Sequence, residues 1–186
     1  MVIKMIERFT VGLIVNNRHG VLNRIAGLYG KRGYNIDSLS VGETEDPRYS
    51  RMTIVSSGDI YIQTQVIRQL NKLYDVKSAV ILDKSGSISV EHLLIKLKIN
   101  GNGNNGITAL INEYGGKVLH LCDQFIIADI TGSPERIQAF IDQSKSLGIY
   151  ELCRSGALAL STDIKNTLQI TYETKQGENE DGTDVL

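Results

Sequence analysis

FTVGLIVNNRHGVLNRIAGLYGKRGYNI, residues 9–36, changes its apolar period once, and that change decides the fold. Phe9, Val11, Leu13 and Val15 alternate, so they share one face of a strand. A polar turn, Asn16-Asn17-Arg18-His19-Gly20, interrupts them. Val21, Leu22, Ile25, Ala26, Leu28 and Tyr29 then recur at helical spacing and predict a wide amphipathic face. Lys31, Arg32 and Gly33 close the helix, since cations suit the negative end of the dipole and glycine suits the position beyond it. A second strand is expected from Tyr34. Where Gly20 opens the helix, backbone N–H groups lack intrahelical partners, and such a place can receive a carboxylate or phosphate.

Outward from this unit the signals alternate. Strand two is expected over about 34–44, with its alternation slipping between Ile36 and Leu39, which predicts a bulge or bend. Glu45-Asp46-Pro47-Arg48 reads as a turn. Strand three covers about 49–56, helix two about 60–72 and strand four about 75–82. A short turn makes strands two and three antiparallel neighbours, while the two helical crossovers predict parallel pairings. The pattern is a split βαβ, ferredoxin-like unit with both helices on one face and the other face uncovered.

The order then repeats. Residues 83–90, DKSGSISV, read as a small polar linker. Leu93, Ile95, Leu97 and Ile99 alternate in a strand over about 91–99, and a Gly/Asn loop precedes a helix at about 104–114. Strands over about 117–122 and 124–131 meet at Asp123. Ser133-Pro134 opens the next helix as N-cap and first helical residue, and a last strand lies near 149–160. The expected fold class is α+β, with two tandem ferredoxin-like (βαββαβ) domains. Domain one covers 1–82, the linker 83–90 and domain two 91–162. Residues 163–186 form an acidic tail expected to be disordered.

Composition narrows the function classes. A net charge of −1 over 186 residues gives no basic excess for nucleic acid or an acidic membrane surface. No apolar run approaches the roughly 18 residues needed to span a bilayer. The opening MVIKMIERF has neither the apolar core of a secretory signal nor the character of a transit peptide. Cys122 and Cys153 form no CxxC pair, which fits a reducing, cytoplasmic setting.

Three constellations invite chemistry. Gly101-Asn102-Gly103-Asn104-Asn105-Gly106 matches GxGxxG, follows a strand, opens a helix, and has Asp123 about 20 residues on. The chain turns straight back at Asp123, however, and a doubly wound fold would continue into another helix. His92, His120 and Cys122 lack finger spacing and a fourth ligand, so no metal is expected. No Gly-x-Ser-x-Gly or Cys/His/Asp set predicts catalysis. Between Glu7 and Asp37 the chain has no acid, whereas Arg18, Arg24, Lys31 and Arg32 are basic. The sequence leaves open a solvated helix face or a local field for an anionic ligand.

Three segments in order are more specific. Asn17-x-x-Gly20-Val21-Leu22, Arg32-Gly33-Tyr34-Asn35-Ile36-Asp37-Ser38-Leu39 and Ser50-Arg51-Met52-Thr53-Ile54 closely resemble the small, regulatory subunits of acetolactate synthase (acetohydroxyacid synthase). Glu91-His92-Leu93-Leu94-Ile95-Lys96 and Glu151-Leu152-Cys153-Arg154-Ser155-Gly156 resemble the same family more loosely. The resemblance covers about residues 5–160. It implies that the N-terminal unit is an ACT domain. It implies no catalysis by this chain and no cofactor in it. Thiamine diphosphate, Mg²⁺ and FAD are expected in the partner, the large catalytic subunit, which makes acetolactate for branched-chain amino-acid synthesis.

The family's small subunit raises that activity and confers feedback inhibition, usually by valine, bound between two ACT domains of a dimer. Carried over, Asn17, His19, Gly20, Val21 and Leu22 form the strand-to-helix loop of the effector site, and Asn35 and Ile36 complete it. Backbone N–H groups near Gly20 suit a carboxylate, asparagine amides suit a zwitterion, and Val21, Leu22 and Ile36 suit a branched side chain. His19 could tune the loop near neutral pH. The resemblance further implies a homodimer or higher oligomer. Its location would be cytoplasmic in a bacterium, or the plastid stroma for a plastid-encoded chain. The alternative reading is a free-standing ACT sensor of amino acids that joins no catalytic subunit.

Overall fold

The period change at Asn16 is where the first strand ends. In the computed structural model, which describes residues 6–99, 104–164 and 167–170, β1 (Glu7–Asn16) leads through a loop into α1 (Val21–Lys31). There follow β2 (Ser38–Glu43), β3 (Tyr49–Gly58), α2 (Ile60–Leu70) and β4 (Val76–Leu82). The first sheet has the order β2-β3-β1-β4. Val11 faces Ile54 and Leu13 faces Met52, and these side chains meet Val21, Ile25 and Tyr29 of α1 and Val66 and Leu70 of α2 in one core.

Two expectations are corrected here. All pairings in this sheet are antiparallel. The crossover through α1 does return β2 to the direction of β1, but β3 inserts between them, so no parallel neighbours form. The buried stripe of α1 is also narrower than predicted. Only Val21, Ile25 and Tyr29 are buried, at i, i+4 and i+8, whereas Leu22 is 44% exposed. A helix lying on one sheet needs a single stripe.

Residues 34–37 lie ahead of the β2 ladder rather than within it. Side chains there take over the bonding: the Asn35 amide donates to Asp37, Ser57 donates to Asp37, and the Ser56 hydroxyl donates to the Asn35 carbonyl. Tyr34 and Ile36 still pack on the core. That is the physical form of the slip expected between Ile36 and Leu39.

The second unit contains β5 (Ser87–Lys98), α3 (Asn104–Glu113), β6 (Lys117–Leu121), β7 (Phe125–Gly132), α4 (Pro134–Ser144) and β8 (Ile149–Arg154). Its sheet runs β6-β7-β5-β8. Leu93, Ile95 and Leu97 face Ile130, Ala128 and Ile126, and α3 and α4 cover them with Ile107, Ile111, Ile137 and Phe140. Ser133 caps α4 by accepting from the Arg136 N–H, as its sequence predicts.

Residues 83–90 are not a linker throughout. A single 3-10 turn, Lys84–Gly86, is followed at once by β5, and Ser87–Val90 pair antiparallel with β9 (Leu158–Ser161). The last strand, expected as one, is therefore split into β8 and β9 at Ser155–Ala157. β5 is long enough to serve two partners on different stretches.

The outer face of the first sheet is covered, contrary to expectation. Register places Thr10, Gly12 and Ile14 beside Val55, Thr53 and Arg51 on that face. Ile14, Val55, Leu82, Ala157 and Ala159 are buried yet belong to neither helix-side core. They form a third apolar layer, in which the alternate residues Ala157 and Ala159 bring the chain close to the sheet. Beyond β9, Thr167–Ile170 border a cleft with Ile14, Thr44 and Glu45. The expected disorder of the tail concerns residues 171–186, outside the described residues, and also 163–170, of which 163, 164 and 167–170 are described.

Candidate functional site

The loop after β1 is held from three sides. The Asn16 N–H donates to the Asp75 carbonyl (2.8 Å), and the Asn17 N–H donates to the Arg48 carbonyl (2.7 Å). The Asn17 side-chain amide donates to Glu43 Oε1 and to the Pro47 carbonyl, each at 2.9 Å. Both its amide hydrogens are thus engaged, leaving the carbonyl oxygen as its free function toward a ligand.

The turn that carries Pro47 and Arg48 is itself braced. The Arg48 N–H and guanidinium both donate to Asp46, which holds that carboxyl below its ordinary range. Asp46 and Glu43 are therefore bonded members of the loop's support.

Gly20 is the N-cap of α1 and has φ 83° and ψ −12°, a left-handed conformation that suits glycine. No side chain caps this helix, whereas Asp59 caps α2 and Ser133 caps α4. A Cβ at position 20 would meet only Arg24 Nη2, at 3.7 Å. Space is open above the helix start, and its N–H groups and dipole favour a negative group there.

The predicted loop residues divide by role. His19 and Gly20 are exposed, and Leu22 presents an apolar side chain beside them. Val21 does not: its side chain is 4% exposed and belongs to the core. Of the basic set, Arg24 is bonded to Asp75 at 2.6 Å, with Asp75 itself buried. Asp75 also accepts from Asn16. This acid, 51 residues from Arg24, compensates part of the positive field inferred from the sequence. No local pattern couples the two positions; only the return of β4 beside β1 does.

Asn35 and Ile36 are not brought to this loop within one chain. Asn35 bonds Ser56, which pairs with Phe9, near the start of β1, whereas Asn17 follows its end. Eight positions along the chain separate Phe9 from Asn17, or about 26 Å at 3.3 Å per residue. The two predicted halves of the site occupy opposite ends of β2.

The rejected constellations lie apart. His92 bonds Asp129 at 2.5 Å, His120 stacks on Phe125 at 5.5 Å, and Cys122 contacts the Phe125 carbonyl. Among the described residues no three His, Cys, Asp or Glu side chains gather as a metal site. β6 and β7 are antiparallel, as the turn at Asp123 implied. Gly101–Gly103 of the glycine-rich loop lie outside the described residues. No helix among them is long and apolar enough to cross a membrane.

Known proteins share both halves. Residues 11–78 match the family described as AHAS small subunit-like ACT domain, and residues 90–163 match the family described as Small subunit of acetolactate synthase. The acetolactate synthase small subunit of Mycolicibacterium smegmatis is 35% identical over 152 residues, covering 82% of this chain and 89% of that protein. The isozyme 3 small subunit of Escherichia coli is 32% identical over 159 residues, covering 85% and 98%. The crystal structure of the small subunit from Thermotoga maritima superposes with a TM-score of 0.78 at 30% identity, covering 83% and 97%. The paired sheets, the uncapped α1 and the matches across both halves lead to one conclusion: the chain belongs to the acetolactate synthase small subunit family, and its N-terminal half is an ACT domain.

Proposed function

We propose that this chain is the non-catalytic regulatory subunit of acetolactate synthase. It binds the large catalytic subunit, raises its activity, and makes it sensitive to valine or another branched-chain amino acid. Thiamine diphosphate, Mg²⁺ and FAD belong to the catalytic partner in this reading. The soluble setting is that of the partner, the cytoplasm in a bacterium.

The observation that carries the effector reading is the position of the two half-sites on β2. This strand is an edge of its sheet. Asn17 is bonded to Glu43 at the end of β2, and Asn35 precedes Ser38 at its start. An antiparallel pairing of β2 with β2 of a second copy brings the start of one beside the end of the other. Asn35 and Ile36 of one copy then approach Asn17, His19, Gly20 and Leu22 of the other. Backbone N–H groups at the start of α1 take the carboxylate, asparagine carbonyl oxygens take the ammonium, and Leu22 and Ile36 meet the branched side chain. Val21 supports the helix from within the core.

Reconstitution with the catalytic subunit, assayed with and without valine, tests this. Gly20→Asp puts a negative charge where the carboxylate binds; position 20 has room for the side chain, and aspartate is among the few residues that enter the left-handed conformation, at some cost in strain. The variant is expected to keep stimulation and lose valine inhibition. Asn35→Ala should weaken inhibition by roughly tenfold or more, the scale of a lost polar contact to a charged group. Normal inhibition of both variants would refute the site. Valine binding without association to the catalytic subunit would favour the free-standing sensor.

A further inference from the structure

We infer that the contact of Ser38 with Gly156 and Ala157 is the joint through which effector occupancy reaches the C-terminal half of the chain. This rests on the effector reading above and adds the route by which it is transmitted.

Ser38 begins β2, two residues after Ile36 and three after Asn35. The intervening stretch is stiff. The Asn35 carbonyl accepts from Ser56, and Asp37 is bonded by Asn35, by Ser57 and by its own N–H to the Val55 carbonyl. A displacement of Asn35 on binding is therefore carried to Ser38 rather than absorbed by a loose loop.

On the far side of the joint, the Ala157 N–H donates to Ser38 Oγ at 3.1 Å. Gly156 has φ 74°, and a Cβ there would lie 2.5 Å from Ser38 Oγ. Both the backbone conformation and the close approach require glycine. The neighbouring Ser155 is fixed to β5: its N–H donates to the His92 carbonyl at 2.9 Å, and its hydroxyl accepts from the His92 N–H at 3.0 Å. The His92 ring is bonded to Asp129 of β7. A continuous chain of short contacts thus runs from Asn35 through Ser38, Gly156 and Ser155 into the central strands of the second sheet.

Beyond the joint, the same segment is seated on the first sheet. Arg51 donates to the Ala159 carbonyl at 3.0 Å, and Ala157 and Ala159 are buried against the outer face. The strap from 157 onward therefore has two determinants of its position, the outer face and Ser38. Ser38 is the determinant continuous with the Asn35–Ile36 half-site, whereas Arg51 pairs with Gly42 near the Asn17 end of β2. Contiguity supplies a path, and coupling requires that the two ligand states differ in their contacts along it.

The test uses the full chain reconstituted with its catalytic subunit, and the variants Ser38→Ala, Ser38→Thr and Gly156→Ala. Valine affinity is measured by calorimetry, stimulation and valine inhibition by assay, and backbone exchange of residues 155–161 with and without valine. In the wild type, valine should change exchange in 155–161. Ser38→Ala should bind valine and stimulate nearly as the wild type does, yet require about tenfold more valine for inhibition, within the usual range of coupling energies. Ser38→Thr, which keeps the hydroxyl, should restore inhibition. Gly156→Ala should resemble Ser38→Ala, and if it fails to fold, Ser38→Ala and the exchange experiment decide.

Unaltered inhibition in Ser38→Ala, or an equal loss of affinity and inhibition, would overturn the joint. A wild-type chain that binds no valine would instead overturn the effector reading, leaving the joint without a signal to carry.

Discussion

The two sheets share an architecture but treat their outer faces differently. On the first sheet that face is roofed by the strap after Gly156, and Ile14, Val55 and Leu82 are buried under it. On the second sheet, Leu94 is 40% exposed, and a shallow hollow lies open between Leu94, Lys96, Ile127, Glu151 and Cys153. The residue at the centre explains the difference. Gly12 has no side chain, so Arg51 and Leu168 lie directly over the first sheet. The corresponding middle of β5 carries Leu94 and Lys96, which fill their own space and meet solvent. A roof forms where the sheet is recessed, and the recess is one glycine deep.

The largest effect that could break this comparison comes from filling the recess. A Cβ at Gly12 would lie 2.7 Å from Arg51 Nη2 and 2.9 Å from Leu168 Cδ1. Gly12→Val should cost about 1–3 kcal/mol in denaturant unfolding, the scale of overpacking. A neutral result would mean that the strap gives way freely. A smaller loss is expected from Arg51→Ala. The side chain is half-buried, that burial weakens the guanidinium's hold on the proton, and it donates to the Ala159 carbonyl. Truncation removes that bond and leaves a buried carbonyl unpaired, at about 1–2 kcal/mol.

On the open face the same experiment should register little. Leu94→Thr keeps a strand-favouring side chain at an exposed position and should change stability by no more than about 0.5 kcal/mol. A loss as large as that of Gly12→Val would reveal a cover on the second sheet. The smallest effect concerns pH. The Lys96 ammonium holds the Glu151 carboxyl below its ordinary value of 4.5. A depressed folded value means that the ionised form favours folding. This contribution is present above pH 4.5 and is lost as pH falls through the lowered folded value. Glu151→Gln should flatten that acid slope slightly, as urea midpoints measured across the range would show. Screening of an exposed pair keeps the change small.

Much of the fold was legible because it is written in local periods. Val11 and Leu13 at period two, Ile25 and Tyr29 at helical spacing, and Ser133-Pro134 at a helix start all act within a few residues. The candidate loop was legible for the same reason: Asn17 and Gly20 mark a strand-to-helix passage. The misreadings arose where a distant partner decides. Leu22 and Val21 have similar hydropathy, and only the direction of the sheet buries one and exposes the other. Ser87–Val90 alternate as Ser-Ile-Ser-Val, but four residues following Lys84-Ser85-Gly86 read as linker with them, and they pair because Leu158–Ser161 arrive beside them.

The sequence by itself determined two βαββαβ units, a helix opened by a glycine, and membership of the acetolactate synthase small subunit family through motifs along one chain. Tertiary structure decided that Asn17 and Asn35 lie at opposite ends of the edge strand β2, so the two halves of the proposed effector site do not meet within one chain. It also decided that Asp75 holds Arg24 and that Gly156 sits against Ser38. Each of these joins residues dozens of positions apart. Local period fixes which way a side chain points, and what it then meets depends on how distant segments pack.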